Sequence, residues 1–185
     1  PWIAYGLCRE GGSKKLVFQL TDDRNLQWNP LTSSMDVLEP NIWVHVAGIY
    51  DGKLMAMYVD GSLVAKRDLS AQIATNDFPV SIGMNDVGQR EATNGFIDEV
   101  RIWNVARTEA AIQEKMNSRL TGNENGLVGY WNFDDGAAND LSPHENHGQL
   151  LGDAVIVNSN LHLGAFIPDA SLRSKLENIL GNSVE

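Results

Sequence analysis

The stretch WVHVAGIYDGKLMAMYVDGSLVAKRDL, residues 43–69, decides the fold that the sequence predicts. Apolar and polar residues alternate along it, which is typical of β-strands that bury one face. The pairs Asp51-Gly52 and Asp60-Gly61 interrupt the alternation. Such pairs are favoured in tight hairpin turns, where the turn residues adopt positive φ angles. The stretch therefore predicts three consecutive antiparallel strands joined by two short turns.

Further strand patterns lie on both sides of this stretch. Upstream, residues 2–20 predict two strands around a Gly11-Gly12 turn, and NLQWNP (25–30) predicts a short third strand. Downstream, strand patterns occur in FPVSIGMN (78–85), GFIDEVRIWNVART (95–108) and GLVGYWNFDDG (126–136). Short, regularly spaced strands with turn residues between them are typical of sandwiches rather than parallel α/β sheets. We therefore expect an all-β fold, an antiparallel two-sheet β-sandwich of the jelly-roll type.

Two helical patterns interrupt the strands. Thr108 is a suitable N-cap for a helix over residues 109–120. The apolar residues on one face of this helix are Ile112, Met116 and Leu120. The pattern predicts a short helix lying across the sandwich. Residues 168–182 predict a second helix, which ends at Gly181.

The domain organisation follows from these patterns. We expect one sandwich domain over residues 1–158, followed by a linker and a C-terminal helix over residues 159–185. The chain opens with PWIAYGL, without a starting Met and already within a strand pattern. We therefore expect it to be a fragment of a longer protein, so the lack of a signal peptide carries no information about export.

Charge and hydropathy restrict the partners. The formal net charge of -10 disfavours nucleic acid and anionic membrane surfaces, because nothing offsets the repulsion. No apolar run approaches the roughly 18–20 residues of a membrane span, so we expect no membrane insertion. Cys8 is the single cysteine, which rules out an intramolecular disulfide. Acidic oxygen clusters suit hard cations such as calcium.

Two adjacent acids, Asp98 and Glu99, lie within an apolar strand pattern. Side chains alternate between the two faces of a strand, so these acids should point away from each other. That arrangement argues against a catalytic pair flanking one glycosidic bond. We expect Glu99 to form a partly solvated ion pair with Arg101 on its own face. Asp98 shares its face with apolar residues, so its carboxyl group should be hydrogen-bonded to N–H donors, protonated or bound to a metal ion.

Four segments together carry a resemblance to a known family. They are NIWVHVAGIYDGKLMAMYVDGSLVA, SIGMN, GFIDEVRIWNVARTEAAIQ and NGLVGYWNFDDG. From about Trp2 to Asp153 the chain resembles the LamG-like jelly-roll domains of the concanavalin A-like lectin/glucanase superfamily, relatives of laminin G modules and pentraxins. The resemblance implies two antiparallel sheets face to face, and a binding or adhesion module of an extracellular or cell-surface protein.

The two ends of the chain differ from that family pattern. Family members begin with one or more strands before the point where this chain starts, and without them a sheet edge would be open. Either the late segments around residues 127–136 and 153–163 fill the gap, or a neighbouring chain does. The segment FIPDASLRSKLENILGNS resembles the capping helix of leucine-rich repeat arrays, which implies an adjoining leucine-rich-repeat domain.

The resemblance also implies a calcium site. Asn85 and Asp86 follow the SIG strand, where pentraxins carry acidic and amide ligands, and Asp98 is the third metal candidate. Calcium takes about six to eight oxygens, so backbone carbonyls or another loop must help. The alternatives are a polar hairpin loop without metal, and a separate site at Asp134, Asp135 and Asp140. His144 and His147 are interpreted as loop residues rather than zinc ligands.

The functional hypotheses follow from these residues. Trp28 lies in a polar context and is the best candidate for an exposed aromatic that stacks on a sugar ring, and Asn85 and Asp86 are further ligand-binding candidates. We expect a non-catalytic module that binds a carbohydrate or a protein. A structural spacer is the first alternative. A glycoside hydrolase of the laminarinase type is the second, although the Glu-x-Asp-x-x-Glu strand of those enzymes does not occur in this sequence.

Overall fold

The computed structural model describes residues 3–84 and 92–157, which form antiparallel strands and one short helix. The strands are β1 (Tyr5–Arg9), β2 (Leu16–Thr21), β3 (Trp28–Thr32), β4 (Val46–Tyr50), β5 (Leu54–Val59), β6 (Ser62–Asp68), β7 (Val100–Trp103) and β8 (Leu127–Trp131). The helix α1 spans Glu109–Lys115. These elements belong to two compact units, one with β1–β6 and α1, the other with β7 and β8.

Two three-stranded sheets build the first unit. Their strand orders are β1-β2-β3 and β4-β5-β6, and every neighbouring pair is antiparallel. Alternate residues of β2 and β5 meet between the sheets, because side chains alternate along a strand. The buried core cluster comprises Leu16, Phe18, Leu20, Leu31, Val37, Met55, Met57 and Val59. The predicted all-β antiparallel sandwich is therefore confirmed.

The two predicted hairpin turns of residues 43–69 are present but are built differently. Between β5 and β6, both Asp60 and Gly61 have positive φ angles, 48° and 75°. This matches the turn that Asp-Gly pairs favour. Between β4 and β5, Asp51 accepts hydrogen bonds from the backbone N–H groups of Lys53 and Leu54, and Gly52 has a φ of 93°. An aspartate side chain thus replaces a backbone acceptor in this turn.

Helix α1 is shorter than predicted. Thr108 caps it as expected, since its hydroxyl oxygen accepts the Ala111 N–H at 3.2 Å. The helix ends at Lys115, so the prediction that it continues to Leu120 is wrong. Asn and Ser, which follow shortly after, compete with the helix for backbone hydrogen bonds. Ile112 is buried and Gln113 donates to the Gly61 carbonyl at 2.9 Å, which places α1 against the β5–β6 turn.

The second unit contains the two-stranded sheet of β7 and β8. Residues 78–84 of the predicted FPVSIGMN strand form no strand. Their apolar side chains Phe78 and Val80 are exposed. A strand is stable only where a neighbour pairs with its backbone, and the sequence pattern alone does not show whether one is present. The predicted strand over residues 78–84 is therefore wrong.

Several predictions lie outside the described residues. Asn85, Asp86 and the C-terminal helix predicted within residues 159–185 are among them. The domain boundary at residue 158 also stays a prediction. The helix that the structure describes is too short and too polar to cross a bilayer.

Candidate functional site

The candidate site lies on the side of the β1-β2-β3 sheet that faces away from the core, called the outer face below. Cross-strand pairing defines which residues share this face. Gln19 pairs with Gly6 on one side and with Pro30 on the other, while Trp28 pairs with Thr21. The residues of the outer face are Gly6, Cys8, Val17, Gln19, Thr21, Trp28, Pro30 and Thr32.

Trp28 is the prominent side chain of the outer face. It is 57% exposed, as the sequence predicted. Its indole N–H donates a hydrogen bond to Oε1 of Gln19 at 3.1 Å. Because Trp28 begins β3 and its indole is tethered to the central strand, the ring is held in one orientation. An exposed aromatic ring with its polar edge anchored is a suitable platform for stacking against a flat apolar surface.

Gln19 is the residue that sequence reasoning missed. It is only 6% exposed, although it lies on the outer face. Its oxygen accepts from Trp28, whereas within residues 3–84 and 92–157 no acceptor is found for its nitrogen Nε2. Nε2 is not a buried unpaired atom, because it keeps some contact with solvent. The signal in the sequence was the single polar residue inside LVFQL.

Gly6 lies in close contact with this amide. A Cβ atom built on Gly6 would lie 3.1 Å from Nε2 of Gln19 and 3.4 Å from its Cγ. The lack of a side chain at Gly6 therefore lets the Gln19 amide pack against the backbone of β1.

Hydrogen bonds within the loop between β2 and β3 fix the backbone just before Trp28. Asp22 forms an ion pair with Arg24 at 2.6 Å, and Arg24 also donates to the Ser70 carbonyl at 2.7 Å. The hydrogen bond from Arg24 is the main reason why the pKa of Asp22 falls to about 2, with burial opposing the shift. The Asp22 N–H donates to the Gln27 carbonyl, directly before Trp28. The loop is thus held by the bond from Asp22 to Gln27 and by the bond from Arg24 to Ser70.

One family match covers the strands of both sheets of the first unit and therefore the outer face. The family model described as the concanavalin A-like lectin/glucanases superfamily, Laminin_G_3, matches residues 4–113 of the 185. The chain belongs to this family. The match contains the whole sandwich unit from β1 to β6 and most of α1. The fold and family expected from the resemblance are therefore confirmed, whereas the leucine-rich-repeat cap stays a prediction.

Two curated relatives and one solved structure resemble this Laminin_G_3 domain. Mouse pappalysin-1 is 29% identical over 110 residues, which cover 57% of the chain, and human pappalysin-1 is 29% identical over 116 residues, which cover 56%. The chain spans only 7% and 6% of these proteins. The structure, described as a candidate carbohydrate binding protein from Bacteroides ovatus, has a TM-score of 0.52 and 25% identity, and the alignment covers 65% of this chain and 34% of that one.

The acids of the Laminin_G_3 domain do not follow the predicted alternation. Glu99 has a φ of 54° and precedes β7, so the regular strand begins only at Val100. Phe96 is exposed, which contradicts the apolar face expected for Asp98. Oδ1 of Asp98 accepts the N–H of Glu99 at 2.8 Å. A backbone N–H thus donates to Asp98, as one of the open interpretations expected. The metal role of Asp98 stays a prediction.

Glu99 is the member of the pair that forms an ion pair. It forms the predicted ion pair with Arg101 at 2.6 Å, and both side chains keep partial contact with solvent, being 11% and 10% exposed. The Tyr130 hydroxyl also donates to Glu99, at 2.9 Å. Burial is the main reason why the pKa of Tyr130 rises to about 12. The left-handed conformation of Glu99 interrupts the predicted alternation, yet the predicted ion pair still forms.

The loop after β8 is organised around Asp140. Its carboxylate accepts hydrogen bonds from the N–H groups of Tyr130, Ser142 and Asn146. Burial alone would raise the pKa of Asp140, but these bonds outweigh it and lower the pKa. His147 accepts the Asp140 N–H on Nδ1, in keeping with a loop role. Residues 3–84 and 92–157 contain no group of three or more His, Cys, Asp or Glu side chains arranged to hold a metal.

Proposed function

We propose that this domain is a non-catalytic carbohydrate-binding module of an extracellular or surface protein, with Trp28 as its binding platform. The observation that carries the proposal is the exposed Trp28 ring fixed by the buried Gln19 amide. Sugar rings present flat C–H faces edged by hydroxyl groups. An anchored indole next to an amide donor matches both parts of such a ligand.

The comparisons support a sugar ligand over the other candidates. The Bacteroides ovatus protein is described by its carbohydrate binding, and the family groups lectins with glucanases. Glu99 is occupied by Arg101 and Tyr130, and Asp140 by three backbone donors, which supports structural roles for these acids. A protein ligand and a spacer role are alternatives that the binding experiment below separates from sugar binding.

Replacing Trp28 with alanine is expected to weaken sugar binding about 30-fold or more, because the stacking surface is lost from the centre of the site. The measurement is the dissociation constant, by biolayer interferometry, for immobilised laminarin, xyloglucan, galactomannan, polygalacturonate, hyaluronan and heparin. Tyr5→Ala is the matched control. Tyr5 is an exposed aromatic on β1, but it pairs with Leu20 and so lies on the other face of the sheet.

Equal affinity of the wild type and Trp28→Ala for every bound polysaccharide would refute the assignment of the platform. Absence of binding to the whole panel would favour a protein ligand or a spacer. Reducing ends released from laminarin during long incubation with the wild type would contradict the non-catalytic assignment.

Calcium at Asn85, Asp86 and Asp98 remains a proposal from the sequence. If these residues bind the ion, the midpoint of thermal unfolding should rise in excess calcium over that in EDTA, because an ion that binds only the folded state stabilises it. The expected shift at about 100 times the dissociation constant corresponds to roughly 2.7 kcal/mol. Asp86→Ala should remove it. Identical midpoints in calcium and EDTA would show that these residues bind no calcium.

A further inference from the structure

Two Asn-Gly pairs lie in loops of the second unit, Asn94-Gly95 before β7 and Asn125-Gly126 before β8. Glycine has no side chain, so its backbone nitrogen can approach the amide of the preceding asparagine closely. That nitrogen can attack the side-chain carbonyl carbon of the asparagine and close a succinimide ring. Ring closure requires the backbone to move, so the local structure decides which of the two pairs can react.

The Asn125-Gly126 pair is held at the centre of a closed turn. The Leu127 N–H donates to the Glu124 carbonyl across the pair at 3.0 Å, and the Asn104 N–H donates to the Gly126 carbonyl at 2.8 Å. Gly126 has a φ of 84°, and a Cβ atom at that position would lie 2.6 Å from a neighbouring side chain. The backbone of this pair therefore moves toward the asparagine side chain only when the turn opens.

The Asn94-Gly95 pair has none of these restraints. Both residues are exposed. Among the described residues, a Cβ atom on Gly95 would meet only the Thr93 methyl group, at the ordinary contact distance of 3.7 Å. Within residues 3–84 and 92–157, no hydrogen bond restrains the backbone or the side chain of either residue. The ring can therefore close here without the loss of any described hydrogen bond, and water reaches both groups.

We propose that Asn94 is a site of spontaneous deamidation, with water as the co-reactant. The Gly95 nitrogen gives up its proton and bonds to the side-chain carbonyl carbon of Asn94, and the side-chain nitrogen leaves with that proton as ammonia. Water then opens the succinimide ring. Attack at the former side-chain carbonyl gives aspartate, whereas attack at the main-chain carbonyl gives isoaspartate, in which the backbone runs through the former side chain.

Deamidation changes both the charge and the backbone shortly before Asp98 and Glu99. Either product replaces a neutral amide with a carboxylate, which adds a negative charge to a chain whose formal net charge is already -10. Isoaspartate also inserts a methylene group into the backbone that leads to β7. The inference is independent of sugar binding at Trp28, which belongs to the other unit.

Peptide mapping by mass spectrometry tests the site. The full chain is kept at mildly alkaline pH and body temperature, and each asparagine is followed for a gain of about 1 Da, the difference between an amide and a carboxyl group. We expect Asn94 to react about tenfold or more faster than Asn125, because Asn125 must first lose the hydrogen bonds of its turn. In guanidinium chloride, which unfolds the chain, the two pairs should react at similar rates.

Gly95→Ala is the matched variant. Its methyl group makes only an ordinary contact, so circular dichroism should be unchanged, but it hinders ring closure. We expect it to slow the reaction of Asn94 about tenfold and to leave Asn125 unaffected. Equal rates of the two pairs in the folded protein, no reaction at Asn94, or an unchanged rate in Gly95→Ala would each overturn the inference. Formation of aspartate without isoaspartate would contradict the succinimide route.

Discussion

Replacing Phe18 with alanine is expected to lower the free energy of unfolding of the sandwich by about 3–5 kcal/mol. The ring is 6% exposed and belongs to the core cluster between the two sheets. Within its sheet, Phe18 lies opposite Leu7 on β1 and Leu31 on β3. Urea unfolding followed by circular dichroism measures the loss. A marginal total stability of about 5–15 kcal/mol makes such a loss a large fraction of the whole.

The contact between Phe18 and Gly48 provides an internal control. A Cβ atom on Gly48 would lie 2.6 Å from the Phe18 ring, so the ring packs directly on the backbone of β4. Gly48→Ala alone should therefore cost about 1–3 kcal/mol through overpacking. Combined with Phe18→Ala it should cost less, because the obstructing ring is gone. Strict additivity of the two changes would show that this contact between the sheets does not exist.

Asp140→Ala is expected to destabilise the second unit by about 3 kcal/mol or more. The carboxylate is 3% exposed and accepts three backbone N–H groups and the Ser142 hydroxyl. Alanine would leave these donors without their acceptor, and each buried unsatisfied donor costs about 1–3 kcal/mol. Chemical unfolding followed by the fluorescence of Trp131, whose indole N–H donates to the Asn146 carbonyl of this loop, measures the effect.

Acid provides the second measurement on Asp140. Its pKa is lowered in the folded state, so its contribution is fully present above the ordinary value of 3.8 and is lost as the pH falls below it. Between about pH 5 and pH 2 the wild type should therefore lose more stability than Asp140→Ala. Asp135→Ala is the control in the same loop, because Asp135 is exposed and its removal should change stability far less. Equal effects of both substitutions would contradict the central role of Asp140.

Local sequence patterns predicted the fold well where a strong local signal, such as a turn pair or a helix cap, was present. The hairpins of residues 43–69 follow from alternation and Asp-Gly turns, and the start of α1 follows from Thr108. Local patterns failed where the outcome depended on distant partners. The apolar alternation of residues 78–84 is a strand signal, but it is not realised in the described chain. The sequence did not predict the positive φ angle of Glu99, because glutamate rarely adopts that conformation.

The candidate site was only half predictable. The polar context of Trp28 indicated exposure, and the structure bears that out. Gln19 and Gly6 were not identified, since their meeting depends on the register between β1 and β2. Register is a property of two strands together, so the pattern of one strand does not contain it. The binding roles of Asn85 and Asp86 stay predictions.

Strand β2 contributes to the core with one residue and to the outer face with the next. Phe18 packs between the sheets, and Gln19 directly after it holds Trp28. An insertion of one residue within β2 would exchange the two sets of side chains, so it would move the amide into the core and the phenylalanine onto the outer face. The alignment that packs the sandwich therefore also aligns the groups of the outer face. Change at this site can proceed by substitution, whereas changes of strand length must occur in the turns.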